Sequence, residues 1–220
     1  MRQFEVFKSF EADRWYERNR EGLKPKDDLT IWLIENYGIL TKASRVLEVG
    51  ASNGYRLAKI QERFGCEVFA VEPSKNAVED GKKEFPKVNF YNITAEEMDF
   101  EKEFDLIIVN GVFCWIDRST LLRVVSNIDR ALKYGEYLIV GDFQPPMPLK
   151  NPYHHIKEYE IFTYKQAYKE IFLSSGLYFE LATLCYNHDT KDFKDIDLKN
   201  LFCISLLRKQ EIYIRQDKVL

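Results

Sequence analysis

Val46-Leu47-Glu48-Val49-Gly50-Ala51-Ser52-Asn53-Gly54 is a short apolar run that ends in two glycines four residues apart. An apolar run closed by glycine reads as a buried strand and its turn. The segment that follows, 53–64, puts Leu57, Ile60 and Phe64 on one helical face before Gly65. Strand, tight turn and helix in that order begin a βαβ unit. In open α/β sheets such a turn lies at the carboxyl edge, where ligands bind.

The same pattern continues on the C-terminal side. Residues 68–72 (VFAVE) read as a second strand, Ser74 caps a helix running to about Phe85, and Pro86 stops it. Strands follow at 88–91, 104–110 and 137–140, with a helix over about 119–133 between the last two. This alternation predicts right-handed crossovers and a parallel sheet covered on both faces. On the N-terminal side, residues 4–20 place Phe4, Phe7, Phe10 and Trp15 at helical spacing, and a second helix spans 28–37 between Asp28 as N-cap and Gly38. Residues 142–162 break the pattern with a Pro-rich, aromatic and His-containing excursion, long enough for a lid or binding loop. Thr163 and Gln166 make a capping box for a helix ending near Gly176, and 178–186 and 201–207 are β-like segments that can return antiparallel. The expected fold is therefore α/β: a Rossmann-like doubly wound sheet, mostly parallel with an antiparallel last strand, and an N-terminal helical cap. One domain over 1–220 is expected, divided into a cap (1–40), a cofactor-binding half (41–142) and a substrate loop, last helix and strand pair (143–220).

Composition narrows the function classes. In 220 residues, 32 Lys and Arg face 35 Asp and Glu, a net charge of −3 without a long basic run, so no nucleic-acid partner is expected. With 45% hydrophobic residues the chain can bury a core, while acidic residues interrupt its start and no stretch reaches the length of a membrane span. A soluble, cytoplasmic protein is expected. The four cysteines, at 66, 114, 185 and 203, form no C-x-x-C, so neither a disulfide nor a zinc framework is expected. Oligomeric state is not legible.

The glycine loop lacks the middle glycine of G-x-G-x-x-G, and Glu48, two residues before Gly50, would oppose a pyrophosphate but suit a cationic ligand. Glu72 closes the second strand twenty-two residues after Gly50, and a carboxylate there can accept two hydrogen bonds from ribose hydroxyls. An adenosine with a positively charged tail satisfies both. In these residues the chain resembles the class I S-adenosylmethionine-dependent methyltransferases over about 40–145. Residues 88–100 (VNFYNITAEEMDF) resemble that family's adenine segment, Phe104 to Gly111 its fourth-strand motif, and Ala131 to Leu138 its Leu-Lys-Pro-Gly-Gly turn. The resemblance implies S-adenosyl-L-methionine as cofactor, held by Glu48, Gly50, Ala51, Ser52, Gly54, Glu72, Pro73, Ala95, Glu96 and Asn110. It implies that Glu48 orders the loop or meets the cofactor's amino group through water. Thr94 stands where the family commonly has aspartate, and Ser52 replaces the middle glycine.

Methyl transfer from a sulfonium is an in-line displacement, so the protein aligns a nucleophile, excludes water and, for oxygen or nitrogen acceptors, supplies a base. His154, His155 and His188 all fall after the fifth strand and are the candidate catalytic residues, as bases or as acceptor ligands. Trp15, Arg18, Trp115, Asp142 and Tyr153 are the candidate substrate contacts. For the cluster around Trp15 two readings stand, a helix packed on the sheet edge or a lid. A second resemblance, carried by WYERN (15–19), residues 48–54, Asn110 to Ile116, Asn151-Pro152-Tyr153 with His155, and Tyr186-Asn187-His188-Asp189, is to bacterial methylases associated with pseudaminic acid and surface-sugar biosynthesis. It implies a sugar or glycan-linked small-molecule acceptor. Three function classes are open at this point: a small-molecule methyltransferase, which is the expected one; a cofactor-binding domain without catalysis; and a nicotinamide-dependent oxidoreductase, which Glu48 and the missing glycine disfavour.

Overall fold

The computed structural model describes residues 1–194 and 197–210. Its centre is a seven-stranded sheet in the order β3-β2-β1-β4-β5-β9-β8. These strands are β1 (Arg45–Val49), β2 (Glu67–Val71), β3 (Val88–Tyr91), β4 (Phe104–Asn110), β5 (Leu132–Phe143), β8 (Tyr178–Asn187) and β9 (Leu201–Lys209). The first five pair in parallel, while β9 is antiparallel to both its neighbours and so is reversed against the other six. That is the expected Rossmann-like sheet.

Alternation sets the two faces. Leu47, Val49, Ile107 and Val109 enter one core cluster with Val124 and Ile128 of helix α6 (Leu121–Ala131). Val46, Leu106 and Ile108 enter the other, with Leu57 and Ile60 of α4 (Tyr55–Phe64) and Ile31 and Ile34 of α3 (Leu29–Tyr37). Strands buried on both faces must be apolar throughout, which is why β1 and β4 are nearly uninterrupted hydrophobic runs. Helix boundaries follow local chemistry. The Asp28 carboxylate accepts from Ile31 N–H at 3.0 Å at the start of α3, and the Ser74 hydroxyl accepts from Ala77 N–H at 3.0 Å at the start of α5 (Lys75–Glu84).

The N-terminal cap is a nearly continuous helical stretch: α1 (Gln3–Val6), a π-helical segment (Phe7–Glu11) and α2 (Ala12–Asn19). Helix α2 packs on α5, where the Asp13 carboxylate accepts from the Ser74 hydroxyl at 2.7 Å and Asn76 N–H at 3.0 Å.

Three expectations are corrected. The capping box at Thr163 does not start a helix: Phe162–Lys165 forms β7, paired antiparallel with β6 (Leu149–Pro152), and α7 is confined to Lys169–Leu173. The long-range ladder overrides the local signal. It is pinned by Gln3, whose amide donates to Phe162 C=O at 2.9 Å and accepts from Phe162 N–H at 3.0 Å. Strand β5 is twelve residues long, because the turn expected around Tyr134-Gly135 continues the strand. Cys185 and Cys203 form a disulfide. Their residues are directly opposed in the β8–β9 ladder, a proximity that cysteine spacing in the sequence does not reveal.

Candidate active site

The strand order places β1 beside both β2 and β4, so the chain's path across the sheet reverses between β1 and β4 and leaves a crevice at their carboxyl ends. A cavity of about 1340 Å³ opens there. Small-molecule sites are commonly roughly 300–1,000 Å³, so there is room for two ligands side by side.

One end is built by the strand termini. Gly50 follows β1 in the left-handed region at φ +70°, and a Cβ on it would stand 2.4 Å from Val112 Cγ2, so both the backbone and the packing of Val112 call for glycine where this residue lines the cavity. Gly54, at φ +77°, begins α4 beneath this loop, where a Cβ would meet the Phe90 ring at 2.8 Å. Glu72, Pro73, Ala95, Glu96 and Asn110 line the same end. The Glu72 carboxylate accepts from Ser52 N–H and from Ser74 N–H, each at 2.8 Å, which fastens the glycine loop to the end of β2. Burial pushes this carboxyl up to about 7 despite those two amides. Glu96 accepts from the Thr120 hydroxyl at 3.0 Å, and burial also raises its pKa.

Glu48, expected either to order the loop or to meet the cofactor's amino group through water, does not line the cavity. It is buried, off the cavity wall, and ion-paired to Arg56 in the first turn of α4, which also reaches Asp28 at 2.7 Å. Its second oxygen, Oε2, has no hydrogen-bond partner among the described residues. Burial opposes the charge on Arg56, and Glu48 foremost, with Asp28, outweighs it. The chain Glu48–Arg56–Asp28 thus joins β1, α4 and the cap of α3. Ala51, Ser52 and Gly54 likewise shape the loop from behind the wall, Ala51 as part of the core.

The other end is built by the N-terminal helices and by the chain after β5. Trp15, Trp115, His154 and His188 line it. Trp115 meets the Tyr153 ring edge-on at 4.9 Å, and His188 sits 4.7 Å from the Phe143 ring. Burial, and next the Lys191 charge, lower the His188 pKa, so its imidazole is neutral at pH 7 and able to accept a proton. His155 stands off the wall beside His154, its ring centroid 3.9 Å away.

Three of the expected substrate contacts hold structure instead. Arg18 ion-pairs with the fully buried Glu11 and donates to the Tyr153 hydroxyl at 2.7 Å, and that hydroxyl donates to Glu11 at 2.7 Å. Burial and Glu11 push the Tyr153 phenol upward. The triad locks α2 to the excursion after β5. Asp142 is buried off the wall and accepts from Cys114 N–H at 3.0 Å and Phe143 N–H at 2.8 Å, shaping the turn after β4. Burial pushes its carboxyl up to about 7. Both sets of contacts join segments that no local pattern connects. The sequence reading also missed Tyr55, Arg56, Phe143, Tyr186, Lys165 and Lys191 on the wall. Only Tyr186 carried a signal, as part of YNHD.

The fold and the described residues can be tested against the cofactor that the motifs imply. Gly50 lines the cavity without a side chain of its own, and each Glu72 oxygen keeps a lone pair beyond its backbone amide for a ribose hydroxyl. The residues fit. Among the described residues no cluster of His, Cys, Asp or Glu suits a metal ion, and no helix is long and apolar enough to cross a membrane.

Comparison with known proteins agrees. Residues 46–135 match the family model described as a methyltransferase domain. A malonyl-[acyl-carrier protein] O-methyltransferase of Ilyobacter polytropus is 31% identical over 106 residues, 46% of this chain and 39% of the relative. The chain spans less than two thirds of the length of the curated relatives it matches. The Burkholderia thailandensis 1,6-didemethyltoxoflavin N1-methyltransferase, solved with 1,6-didemethyltoxoflavin and S-adenosylhomocysteine, superposes with a TM-score of 0.69 at 15% identity, over 95% of this chain and 87% of that one. The N-methyltransferase NodS of Bradyrhizobium japonicum, solved with S-adenosylhomocysteine, gives 0.61 at 14% identity, over 91% and 99%. These two share the fold.

Proposed function

We propose, on the premise that this chain carries a class I S-adenosylmethionine-dependent methyltransferase domain, that it transfers a methyl group to a small-molecule acceptor seated beside the cofactor in the one cavity. The observation that carries this reading is a continuous cavity with two differently built ends. Bare Gly50 backbone and the Glu72 carboxylate lie at one, and aromatic rings with His154 and His188 at the other.

S-adenosylmethionine supplies an electrophilic methyl group on a sulfonium. In this reading Glu72 accepts from the ribose hydroxyls, Gly50 lets the backbone approach the methionine portion, and Ala95 and Glu96 flank the adenine. Asn110, whose amide donates to the Thr30 hydroxyl at 3.2 Å, borders the cofactor at the end of β4. His188, neutral at pH 7, accepts the acceptor's proton or orients its hydroxyl, with His154 as the second such group. Trp15 and Trp115 exclude water from the reacting atoms.

A sugar or glycan-linked hydroxyl or amine is the proposed acceptor. Aromatic surface beside hydrogen-bonding imidazoles suits polyhydroxylated ligands, and Trp15, Asn151, Pro152, Tyr186, His188 and Asp189, from the segments that resemble sugar methylases, all reach the cavity wall. The test is transfer of a labelled methyl group from S-adenosylmethionine to a panel of amino sugars, uronic acids and non-sugar phenols and amines. Labelled product with a sugar and loss of turnover in His188→Ala are expected. Tight cofactor binding with no turnover on any acceptor would favour the non-catalytic alternative.

A further inference from the structure

The charges on the cavity wall are not evenly matched. Arg56 is satisfied by Glu48 and Asp28, and Arg63 by Asp27 and Glu35. Glu72 and Glu96 stand at the cofactor end. At the acceptor end, Lys26, Lys165 and Lys191 all reach the wall, and among the described residues none of the three has a carboxylate within ion-pair distance. Their polar partners are neutral: Lys165 Nζ donates to Asn200 Oδ1 at 3.3 Å and to the Lys199 carbonyl at 3.4 Å, and Lys191 Nζ donates to the His188 carbonyl. Asp189, also on the wall, favours the charge on Lys191 but is itself engaged by the His188 ring at 3.3 Å and by the Asn200 amide at 2.7 Å.

Aromatic rings hold two of these ammonium groups in place. Lys165 Nζ lies 3.9 Å from the centre of the Phe143 ring, and Lys191 Nζ 5.5 Å from that of Tyr186, both rings being on the wall. Lys191 holds its position with a left-handed backbone, φ +60°, a conformation that costs a non-glycine residue free energy. The lysines also act on one another's surroundings. Burial foremost lowers the His188 pKa, with Lys191 and Lys165 both adding to it, and burial with Lys26 lowers that of Lys191 although Asp189 opposes. Lys165 is half-buried and Lys26 and Lys191 are exposed, and cations gathered on one stretch of wall attract an anionic group.

We propose that the acceptor end of the cavity is an anion subsite, in which Lys165 and Lys191, assisted by Lys26, receive a carboxylate or phosphate group borne by the methyl acceptor while Phe143 and Tyr186 pack on its body. This deepens the reading of the cavity as a two-ligand site and rests on it. Charge-assisted hydrogen bonds from two ammonium groups select an acidic acceptor over its neutral isostere. The methyl group goes to another atom of that acceptor, near His188.

The test uses benzoate, phenyl phosphate and neutral benzamide as probes, their binding to the full chain measured by ligand-observed NMR with and without saturating S-adenosylhomocysteine. One or both anions should bind on the order of tenfold more tightly than benzamide. Preference for benzoate assigns a carboxylate, preference for phenyl phosphate a phosphate. The double variant Lys165→Gln/Lys191→Asn, with Asn chosen because it tolerates the left-handed backbone, should lose that preference while binding S-adenosylhomocysteine as the wild type does. Lys150→Gln, a lysine over the Phe162 ring and off the wall, should keep it. Equal binding of benzamide and both anions, or an unchanged preference in the double variant, would overturn the subsite. Failure of S-adenosylhomocysteine to bind would instead remove the two-ligand reading, and the probe preference without it would still be measured.

Discussion

The two ends of the cavity are built by different means. The cofactor end is made by strand termini and their immediate turns: Gly50 follows β1, Glu72 follows β2 and Asn110 ends β4, each placed by the sheet register. The acceptor end is made by side chains far apart in sequence, such as Glu11, Arg18 and Tyr153, which meet only because the N-terminal helices fold over the chain after β5. Damage to the first should propagate through the sheet, whereas damage to the second should stay local.

The largest expected effect is at the buried ion pair. Arg56→Met leaves Glu48 without its partner beneath the glycine loop and should cost about 3–5 kcal/mol of stability, read as a fall in the denaturant midpoint. A change within 0.5 kcal/mol would show that this chain of charges does not support the loop, and the contrast between the ends would weaken.

Next comes pH. The Glu72 and Asp142 carboxyls are both raised to about 7 by burial, above their ordinary range. Groups raised in the folded state contribute stability that is fully present below about pH 4 and is lost as pH climbs through 7. Calorimetry between pH 5 and 8 should show a falling unfolding temperature, by an amount equivalent to a few kcal/mol. A rising midpoint over that window would contradict the burial of these carboxylates.

Reduction of the Cys185–Cys203 disulfide removes a cross-link across 18 residues and should cost about 3 kcal/mol, measured by chemical denaturation with and without reductant. Hydrogen exchange sharpens the comparison, because the loss should concentrate in β8 and β9 and spare β1, β2 and β4. Uniform loss over the sheet would refute the division.

Tyr153→Phe gives the smallest effect. It deletes one hydroxyl from the triad with Glu11 and Arg18, about 1 kcal/mol, and should raise the acceptor KM several-fold while leaving S-adenosylhomocysteine affinity unchanged. Equal losses in both would mean that the triad supports the cofactor end as well.

This division also explains what could be read from the sequence. Residues 88–91 and 104–110 became strands at their expected bounds because apolar runs between turn residues are local signals of burial. Gly50 and Glu72 were legible because their places follow from strand ends. Thr163 was misread because a capping box is also local, whereas the ladder between β6 and β7 depends on Gln3 about 160 residues away. Asp142 resembled a ligand at a strand end, but its carboxylate turns to the amides of Cys114 and Phe143. The lysines of the acceptor end had no motif. Their significance lies in missing counter-charges, which only the folded arrangement displays.

The central claim is that the crevice at the carboxyl ends of β1, β2 and β4 receives S-adenosylmethionine, and titration calorimetry with S-adenosylhomocysteine tests it most directly. One saturable site is expected in the wild type, weakened in Glu72→Ala by about 1.5–3 kcal/mol as charge-assisted hydrogen bonds to the ribose are lost. Absence of binding heat in the wild type, together with no thermal shift, or equal affinity in folded Glu72→Ala, would contradict it.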